Sequence, residues 1–480
     1  VEDTDFRFSN AADSFELATY IGKADIRVMA FDMPGKEVHL NRIDLDDCIL
    51  AIERLATFND IDMKLVDLSY GENRAGLGIR KLDFGMVYGF ILDNLSGRLE
   101  SVGDHTDLQL DIKTAHSQLN LNAFAREAFK DILAAPFELR HAGLELSHSH
   151  ISIQDMEGFL PQLTDEFYYG ALTATRIQLM GEGNLEDGSL HISGLSLWQE
   201  DNFTITLEGV IQNPFQLAEA TGEVHVGASG FEQGWLEELA LSSGISGAIP
   251  DLGGTSLEAY VSDSLFSPLI KMAVESPLGS AALEGSLDFG RELYTLAYEI
   301  RNLGVGKLFN ASGFGSFSGT GEIKGKGFSA DEQHASYYLQ VDTLDNQDYR
   351  YSNTQITGTL EPGAYELQLV ALDPALKADL QLKLDLGDSA YRAEASGIFQ
   401  AQLDELHLHG EALNLKASIE AQMKGSGKGL ESELVCRDLS LETPVKVALV
   451  QDIKAVFKTD SMQSIFQADA DFIHAHMVLR

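Results

Sequence analysis

The chain has 480 residues, of which 34 are lysine or arginine and 74 are aspartate or glutamate, so its formal net charge is −40 at pH 7. This charge argues against nucleic-acid binding and against docking on an anionic membrane surface, because both need clustered cations. A hydrophobic fraction of 44 % is ordinary for a folded protein and argues against disorder. The two cysteines, Cys48 and Cys436, stand far apart, which excludes a cysteine zinc site and a disulfide-stapled scaffold.

The first residues of the given sequence do not have the pattern of a signal peptide. The first residues, VEDTDFRFSN, lack the basic segment followed by an apolar segment that marks a signal peptide. No stretch reaches the ~18 apolar residues that a membrane-spanning helix needs. Because the chain starts without methionine and ends inside the alternating run HAHMVLR, we expect it to be a piece of a longer protein, with any anchor or export signal outside it.

Alternation of apolar and polar residues with period two is the dominant pattern. It is clear at 107–113, where Leu108, Leu110 and Ile112 fall on one face of a predicted strand. Strict alternation predicts half-buried strands with one solvated face, whereas fully buried parallel strands would be continuously apolar. Further alternating runs lie at 117–121, 144–154, 190–198, 202–209, 222–226, 365–370, 378–386 and 405–410.

A few segments have helical spacing instead. In the segment 122–136, Asn122 is a candidate N-cap, and an apolar stripe that includes Phe124 predicts a short helix near 122–135. An interfacial membrane helix is the alternative for this segment, but its charges are balanced and not basic. Similar short helices are predicted at 158–170 and at 230–244.

In the last of these helices, Trp235, Leu236 and Leu239 are expected to face the sheet. The segment 264–274 is compatible with a helix or a strand. Turns are predicted at 186–188, 361–363 and 425–429, from Glu-Asp-Gly, Glu-Pro-Gly and a glycine-rich run.

These elements predict a mainly β protein. We expect an elongated, curled antiparallel β-sheet (a β-taco or repeating β-groove) with a few short helices. The segments are an N-terminal β-rich part at 1–142 and β-groove parts at 143–315 and 316–480. No linker divides them, so one continuous elongated unit is favoured over separate globular domains. A curled sheet of this kind would enclose a continuous apolar groove.

Candidate metal and catalytic motifs are weak. Histidine pairs with spacing of two occur at His148 and His150, at His407 and His409, and at His474 and His476. Such a pair shares one side of a strand and could bridge a metal. At His407 and His409 the alternation with Leu406 and Leu408 favours a solvent-facing position, and no third ligand is evident for any pair.

Other motifs carry no more weight. Adjacent acids such as those at 46–47 and 237–238 mean little among 74 acidic residues, and the acidic loop at 185–188 lacks the spacing of an EF-hand. The glycine series at 313–327 has no phosphate-loop lysine and opens no helix, which favours turns and strand edges. We therefore expect no catalytic residue, no metal and no cofactor.

Three segments of the chain carry a family resemblance. They are 188–226, the short element at 234–254, and the run YRYSNTQITGTLEPGAYELQLVALDPALKADLQLKLDL at 349–386. Their sequence resembles the TamB and AsmA-like superfamily of bacterial envelope proteins, in particular the TamB-like proteins of Bacteroidetes. Such sequences carry an aromatic pair, a glycine and an Asp-Pro at the positions of Tyr349, Tyr351, Gly358, Asp373 and Pro374. The resemblance is clearest from about 143 to 386.

The resemblance implies a periplasmic location, an anchor in the inner membrane and an outer-membrane partner of the TamA/BamA type, reached through regions outside this fragment. It also implies carriage of phospholipid between the two membranes. Moving an acyl chain through water costs ~0.8 kcal/mol per methylene, and an apolar trough would remove most of that barrier.

Non-enzymatic bridge-type lipid transport is therefore the predicted function, with phospholipid acyl chains as the ligand and no nucleic acid. One alternative is an outer-membrane protein assembly or translocation factor that guides unfolded β-strands. The other is a secreted structural or adhesin β-protein with a filled interior. The predicted groove-lining residues are Leu108, Leu110, Ile112, Phe203, Ile205, Leu207, Leu380, Leu382 and Leu384.

Overall fold

The structure is a computed structural model of the 480-residue chain. It describes all residues except 11–14, 33–36, 53–55, 72, 87–88, 136–138, 156–175, 200–201, 217, 243–249, 330–331, 388–389, 427–428, 461–463, 471–472 and 480. Contacts between Cα atoms divide the chain into two compact units, Val1–Leu265 and Phe266–Arg480.

The first unit is a run of antiparallel strands in which each strand pairs with the next one along the chain. Its strands are β1 (Glu2–Asn10), β2 (Phe15–Asp32), β3 (Glu37–Ile52), β4 (Ala56–Gly71), β5 (Arg74–Met86), β6 (Ile91–Val102), β7 (His105–Thr114), β8 (Gln118–Ala125), β9 (His141–Ser152), β10 (Arg176–Glu186), β11 (Ser189–Gln199), β12 (Phe203–Gln212), β13 (Thr221–Ser229) and β14 (Ser256–Ser264).

The second unit repeats the same meander of sequential antiparallel pairs. Its strands are β15 (Ser267–Ser276), β16 (Gly279–Asp288), β17 (Leu293–Gly304), β18 (Phe314–Lys326), β19 (His334–Asn346), β20 (Tyr349–Glu361), β21 (Ala364–Leu372), β22 (Leu376–Leu386), β23 (Ala390–Gln402), β24 (Asn414–Ser426), β25 (Gly429–Glu442), β26 (Val447–Asp460), β27 (Ser464–Ala470) and β28 (Ile473–Leu479).

Short helices interrupt the strands at a few connections. They are α1 (Phe129–Ala134), α2 (Gln233–Ser242) and α3 (Val305–Leu308). The predicted mainly β class, with antiparallel strands and a few short helices, is confirmed. No helix in the part of the chain that the structure describes is long and apolar enough to cross a membrane.

Most of the alternating runs form strands, but the one at 405–410 does not. Residues 403–409 form turns between β23 and β24, so the strand prediction there is wrong. The alternation of leucine and polar residues at 405–410 does not reflect a strand with one buried face. Leu406 is buried in a small core with Ala375 and Ala401, while Leu408 is exposed. The predicted turns at 186–188 and 361–363 are confirmed, since each joins two paired strands. The turn at 425–429 joins β24 to β25, and its tip lies outside the described residues.

The helix predicted near 122–135 is correct only in its second half. Residues up to Ala125 belong to β8 and pair with β7, so Asn122 is a strand residue and not an N-cap. Helix α1 begins at Phe129, whose backbone N–H donates to Ser101 Oγ at 3.1 Å. Residues 118–125 pair with β7 on one side and with β9 on the other, and these strand hydrogen bonds explain why the local helical stripe is overridden.

The remaining expectations have mixed outcomes. Helix α2 confirms the helix predicted at 230–244, and the ambiguous segment 264–274 contributes to strand β15. The helix predicted at 158–170 lies outside the described residues. The predicted segment boundaries at 142/143 and 315/316 fall within β9 and β18, whereas the two compact units meet at 265/266.

Bulges bend several strands of the first unit. Asp47, Asp60 and Asp67 have φ angles of 53°, 52° and 54°, and each lies where the pairing register shifts. Aspartate tolerates this left-handed region better than most residues because its short side chain can bond locally. A bulge also increases the local twist of its strand. These three aspartates therefore help the backbone to adopt the conformation that the bulges require.

Candidate functional site on the apolar face of the sheet

In the second unit, the strand register aligns apolar side chains into rows that run across the sheet. Residues directly opposite each other in an antiparallel pair lie on the same face. One such row crosses eight strands, from β19 to β26, and contains only tyrosine, glycine, leucine and alanine. Its members are Tyr337, Gly358, Leu367, Leu382, Ala395, Ala421, Leu434 and Ala455. We call this face of the second unit its apolar face.

The opposite face of the same strands is polar. The row offset by one residue runs through Gln368, Gln381 and Ser396. Ion pairs link neighbouring strands there: Lys383 Nζ lies 2.7 Å from Glu366 Oε1, and Lys454 pairs in the same way with Glu433 at 2.6 Å. Exposed pairs of this kind contribute little energy each, but they hold the polar face in water.

A hollow of about 890 Å³ lies along strands β19 to β26. Its lining includes every member of the apolar row except Gly358, together with Tyr365, Leu384, Met423 and Phe457. Several of these apolar side chains are exposed, with Leu382 at 41 % and Leu434 at 45 % of their full accessibility. Large apolar side chains that the protein's own atoms leave uncovered along one surface mark a binding site.

Tyrosines cover glycines on this face. Tyr337 lies directly across from Gly358, and a methyl group added at Gly358 would come within 2.4 Å of the Tyr337 hydroxyl oxygen. Tyr391 covers Gly425 in the same manner. Burial raises the pKa of Tyr337. Cross-strand aromatic–glycine pairs fix register. Here they also keep the aromatic rings close to the backbone.

The predicted groove residues of β22 all lie on the apolar face. Leu380, Leu382 and Leu384 alternate with the polar Gln381 and Lys383. Leu382 and Leu384 line the 890 Å³ hollow. Leu380 is half-buried and pairs with Leu369 on one side and Gly397 on the other.

The first unit has an apolar face of the same construction. One row, entirely apolar, crosses from β5 to β14 and contains Leu77, Leu99, Leu108, Ala123, Leu144, Gly183, Ile192, Gly209, Val224 and Val261. The predicted residues Leu108, Leu110 and Ile112 are half-buried on this face. Leu108 also lines a hollow of about 390 Å³ that is partly roofed by Phe129 and Ile132 of α1.

At β12 the protein covers part of this face itself. Ile205 and Leu207 are half-buried and continue the apolar face, but Phe203 is buried, with only 7 % of its side chain exposed. The ring of Trp235 in α2 packs on Phe203 with centroids 5.1 Å apart, as the predicted orientation of α2 requires. A further ring, Phe231, stacks beside both. The end of β12 is therefore a packed corner and not an open surface.

Three of the residues that carry the family resemblance, Tyr349, Tyr351 and Asp373, form one packed cluster. Asp373 has no solvent exposure and accepts hydrogen bonds from the Tyr349 hydroxyl, from the backbone and hydroxyl of Ser352, and from the backbone N–H groups of Ala375 and Leu376. Burial acts to raise the pKa of Asp373, but these hydrogen bonds outweigh it, and the pKa lies below its usual value. The rings of Tyr349 and Tyr351 meet edge to face with centroids 4.8 Å apart. We call this arrangement the Asp373 cluster.

The competing motifs do not form a metal or phosphate site in the part of the chain that the structure describes. Within the described residues, no group of three or more His, Cys, Asp or Glu side chains could hold a metal ion. His407 lies in the turn region after β23, while the side chains of His474 and His476 lie outside the described set. The glycine series at 313–327 is mostly strand β18, which leaves no phosphate-binding loop there.

Sequence reasoning missed many lining residues of the 890 Å³ hollow. Ala395, Ala421 and Met423 belong to strands whose alternation is weakened by alanine and serine, so period-two counting does not select them. The tyrosines on this face were missed because their partner glycines are distant in sequence: Gly358 lies 21 residues after Tyr337, and Gly425 lies 34 residues after Tyr391. The pairing register, not the local pattern, reveals them.

Comparison with known proteins found neither a protein-family model that matches the chain nor a similar curated protein.

Proposed function

We propose that this protein binds the acyl chains of phospholipids on its apolar faces and carries phospholipid between the inner and outer membranes of a bacterial envelope, without catalysing a reaction. The observation that carries the proposal is the 890 Å³ hollow, whose leucine, alanine, tyrosine and phenylalanine lining stays partly exposed. An isolated exposed leucine would need no explanation, but an apolar row that crosses eight strands and leaves Leu382 and Leu434 exposed does.

The construction of the sheet supports this role physically. Each methylene of an acyl chain gains ~0.8 kcal/mol on leaving water, and no directional contact is needed to obtain it. A row of similar apolar side chains therefore presents a nearly uniform surface along which a chain can shift. The charged opposite face keeps the protein in solution, in agreement with a net charge of −40.

The cellular setting rests on the resemblance to TamB. That resemblance supports a periplasmic location, an inner-membrane anchor and an outer-membrane partner of the TamA/BamA type. The resemblance adds the cellular setting to the proposal, whereas the binding of acyl chains is argued from the hollow in this structure.

The test is mass spectrometry of organic extracts from the purified protein, compared between two variants of β23. Ala395→Trp places a bulky ring in the hollow, whereas the matched Ser396→Trp places it on the polar face of the same strand. We expect copurifying phospholipid with the wild-type protein and Ser396→Trp, and a severalfold loss with Ala395→Trp. Equal lipid content in both variants, or none in the wild-type protein, would overturn the proposal.

A further inference from the structure

Two tyrosine side chains lie at one end of the 890 Å³ hollow. Tyr337 on β19 and Tyr365 on β21 both line it. Both lie on the apolar face, since Tyr337 belongs to the apolar row and Tyr365 lies directly across from Leu384. Beyond β21, the side chains that this face contributes to the hollow are leucine, alanine, methionine and phenylalanine, together with Ser432 on β25. Two hydroxyl groups are therefore gathered at the β19–β21 end of a mostly apolar site.

The ring of Tyr337 reaches across β20 towards β21. A methyl group added at Gly358, the residue opposite Tyr337, would meet both the Tyr337 hydroxyl and the backbone carbonyl oxygen of Glu366 on β21. Gly358 also lies opposite Leu367, which is two residues along β21 from Tyr365. Two strand residues span about 7 Å, so the two tyrosines are neighbours on the same face.

Neither hydroxyl forms a hydrogen bond within the part of the chain that the structure describes. Other tyrosines of this unit do: Tyr349 donates to Asp373, and Tyr294 accepts from Gln333. Burial raises the pKa of Tyr337, so its hydroxyl keeps its proton and is a donor at neutral pH. A hydroxyl in apolar surroundings favours a ligand that brings an acceptor to it.

The apolar part of the hollow is long enough for one acyl chain. From Tyr365 on β21 to Phe457 on β26 the hollow crosses five strand spacings of ~4.8 Å each, or about 24 Å along the sheet. The chains of one membrane leaflet span about half of the ~30 Å hydrocarbon core. In a phospholipid the ester group lies at the headgroup end of each chain, and its carbonyl oxygen accepts hydrogen bonds but cannot donate them.

We propose that the hydroxyls of Tyr337 and Tyr365 donate hydrogen bonds to the ester carbonyl oxygens of a glycerophospholipid whose acyl chain runs from β21 towards β26. This inference rests on the proposed function, and it adds an orientation of the ligand and a preference for acyl esters over ether-linked chains. A neutral hydrogen bond contributes only a small net free energy, so the contact marks a resting position without trapping the lipid.

The experiment uses two pyrene-labelled phosphatidylethanolamines that differ only in the linkage of their chains. One is ester-linked, and the other is ether-linked and lacks the carbonyl oxygens. Their binding is compared between the wild-type protein and Tyr337→Phe/Tyr365→Phe. The matched control is Ser432→Ala, which removes a hydroxyl from the same hollow on β25.

We expect the wild-type protein and Ser432→Ala to bind the ester probe about three- to tenfold more tightly than the ether probe, as one net hydrogen bond requires. The double variant should bind both probes alike, with the wild-type affinity for the ether probe. The single variants Tyr337→Phe and Tyr365→Phe should show an intermediate preference.

The outcomes separate the two proposals. If neither probe binds the wild-type protein, the proposed function fails. If both probes bind it equally, or if the double variant keeps the ester preference, only the tyrosine contact is wrong. Loss of the preference in Ser432→Ala would contradict a contact at the β19–β21 end. Unchanged ether-probe binding shows that the variants are folded, and a parallel loss of both probes would contradict a hydrogen bond to the ester.

Discussion

The hydroxyl of Tyr349 donates a 2.5 Å hydrogen bond to Oδ1 of Asp373, a carboxylate with no solvent exposure. The bond joins the start of β20 to the connection between β21 and β22. Leu406, from the turns after β23, packs nearby in the small core that Tyr349 and Tyr351 border. The buried carboxylate thus ties β20 to the connection between β21 and β22, and Leu406 packs the segment after β23 against the same cluster.

Removing the hydroxyl should weaken this connection. Tyr349→Phe leaves the buried Asp373 with one hydrogen bond fewer, and we expect a loss of about 1–3 kcal/mol in the free energy of unfolding. Denaturant titration of the second-unit transition measures it. Tyr338→Phe is the control, because Tyr338 is an exposed tyrosine on the polar face. Equal stabilities of the two variants would contradict a structural role for the cluster.

The same bond predicts a pH dependence at the alkaline end. Burial, followed by the hydrogen bond to Asp373, raises the pKa of Tyr349 to about 12. An unfolded tyrosine ionises near pH 10, so the stabilising contribution is complete below pH 10 and is lost as the pH rises towards 12. Thermal unfolding between pH 9 and pH 12 should show a shallower decline in Tyr349→Phe than in the wild-type protein. Identical slopes would show that the Tyr349 pKa is not raised.

An acid-side dependence is expected at Asp345. The side-chain hydrogen bonds from Arg350, and then from Ser316, hold the pKa of Asp345 at about 2. Arg350 Nε lies 2.6 Å from Oδ1, and Ser316 Oγ donates to Oδ2 at 2.8 Å, which links β18, β19 and β20. Because the folded pKa is depressed, the contribution is present above pH 4 and lost as the pH falls towards 2.

Arg350→Gln tests this directly. The variant should be less stable than the wild-type protein at pH 7, and the difference in melting temperature should shrink between pH 4 and pH 2. Arg291→Gln is a suitable control, since the Arg291 side chain is highly exposed and its Nε comes no closer than 3.9 Å to the Asp288 carboxylate. A melting-temperature difference that stays constant down to pH 2 would contradict the assignment.

The tyrosine–glycine pairs predict a steric penalty. In Gly358→Ala the new methyl group would meet the Tyr337 hydroxyl and the Glu366 carbonyl oxygen, which should cost about 1–3 kcal/mol. Gly410→Ala is the control, because no atom lies within 4 Å of the added methyl group there. Tyr337→Leu combined with Gly358→Ala should recover part of the loss. No difference between the two alanine variants in chemical denaturation would show that the pair is not tightly packed.

The packed corner at β12 predicts that an apolar surface can be uncovered. Trp235→Ala removes the ring that covers Phe203 and should raise the binding of an apolar fluorescent dye to the protein. Trp198→Ala is the matched control, because Trp198 lies across from Gln178 and Thr204 on the polar face of β11. If both variants bind the dye equally, α2 does not act as a cover.

Period-two counting predicted the strands and their apolar faces well, because side chains alternate by geometry wherever one face is solvated. It failed at 405–410, where alternation arose in a turn through the burial of Leu406. Helical spacing misled in the same way at Asn122, where pairing of β8 with β7 overrode a helical stripe. In both places a tertiary contact decided the outcome.

The candidate site depends even more on distant contacts. Asp373 looks like an ordinary residue before a proline, and its burial becomes visible only through Tyr349, 24 residues earlier in the chain. Likewise, Tyr337 and Gly358 become neighbours only through the register of β19 and β20. The local sequence shows which residues alternate along one strand. It does not show the pairing register that aligns side chains into rows across neighbouring strands.

A photo-crosslinking amino acid at Leu382, compared with one at Gln381, tests the central claim most directly. The two positions are adjacent on β22, both are exposed, and they lie on opposite faces. In cells with two envelope membranes we expect phospholipid adducts at position 382 and few or none at 381. Equal adducts at both positions, or adducts at 382 that contain polypeptide and no lipid, would contradict an apolar face that carries acyl chains.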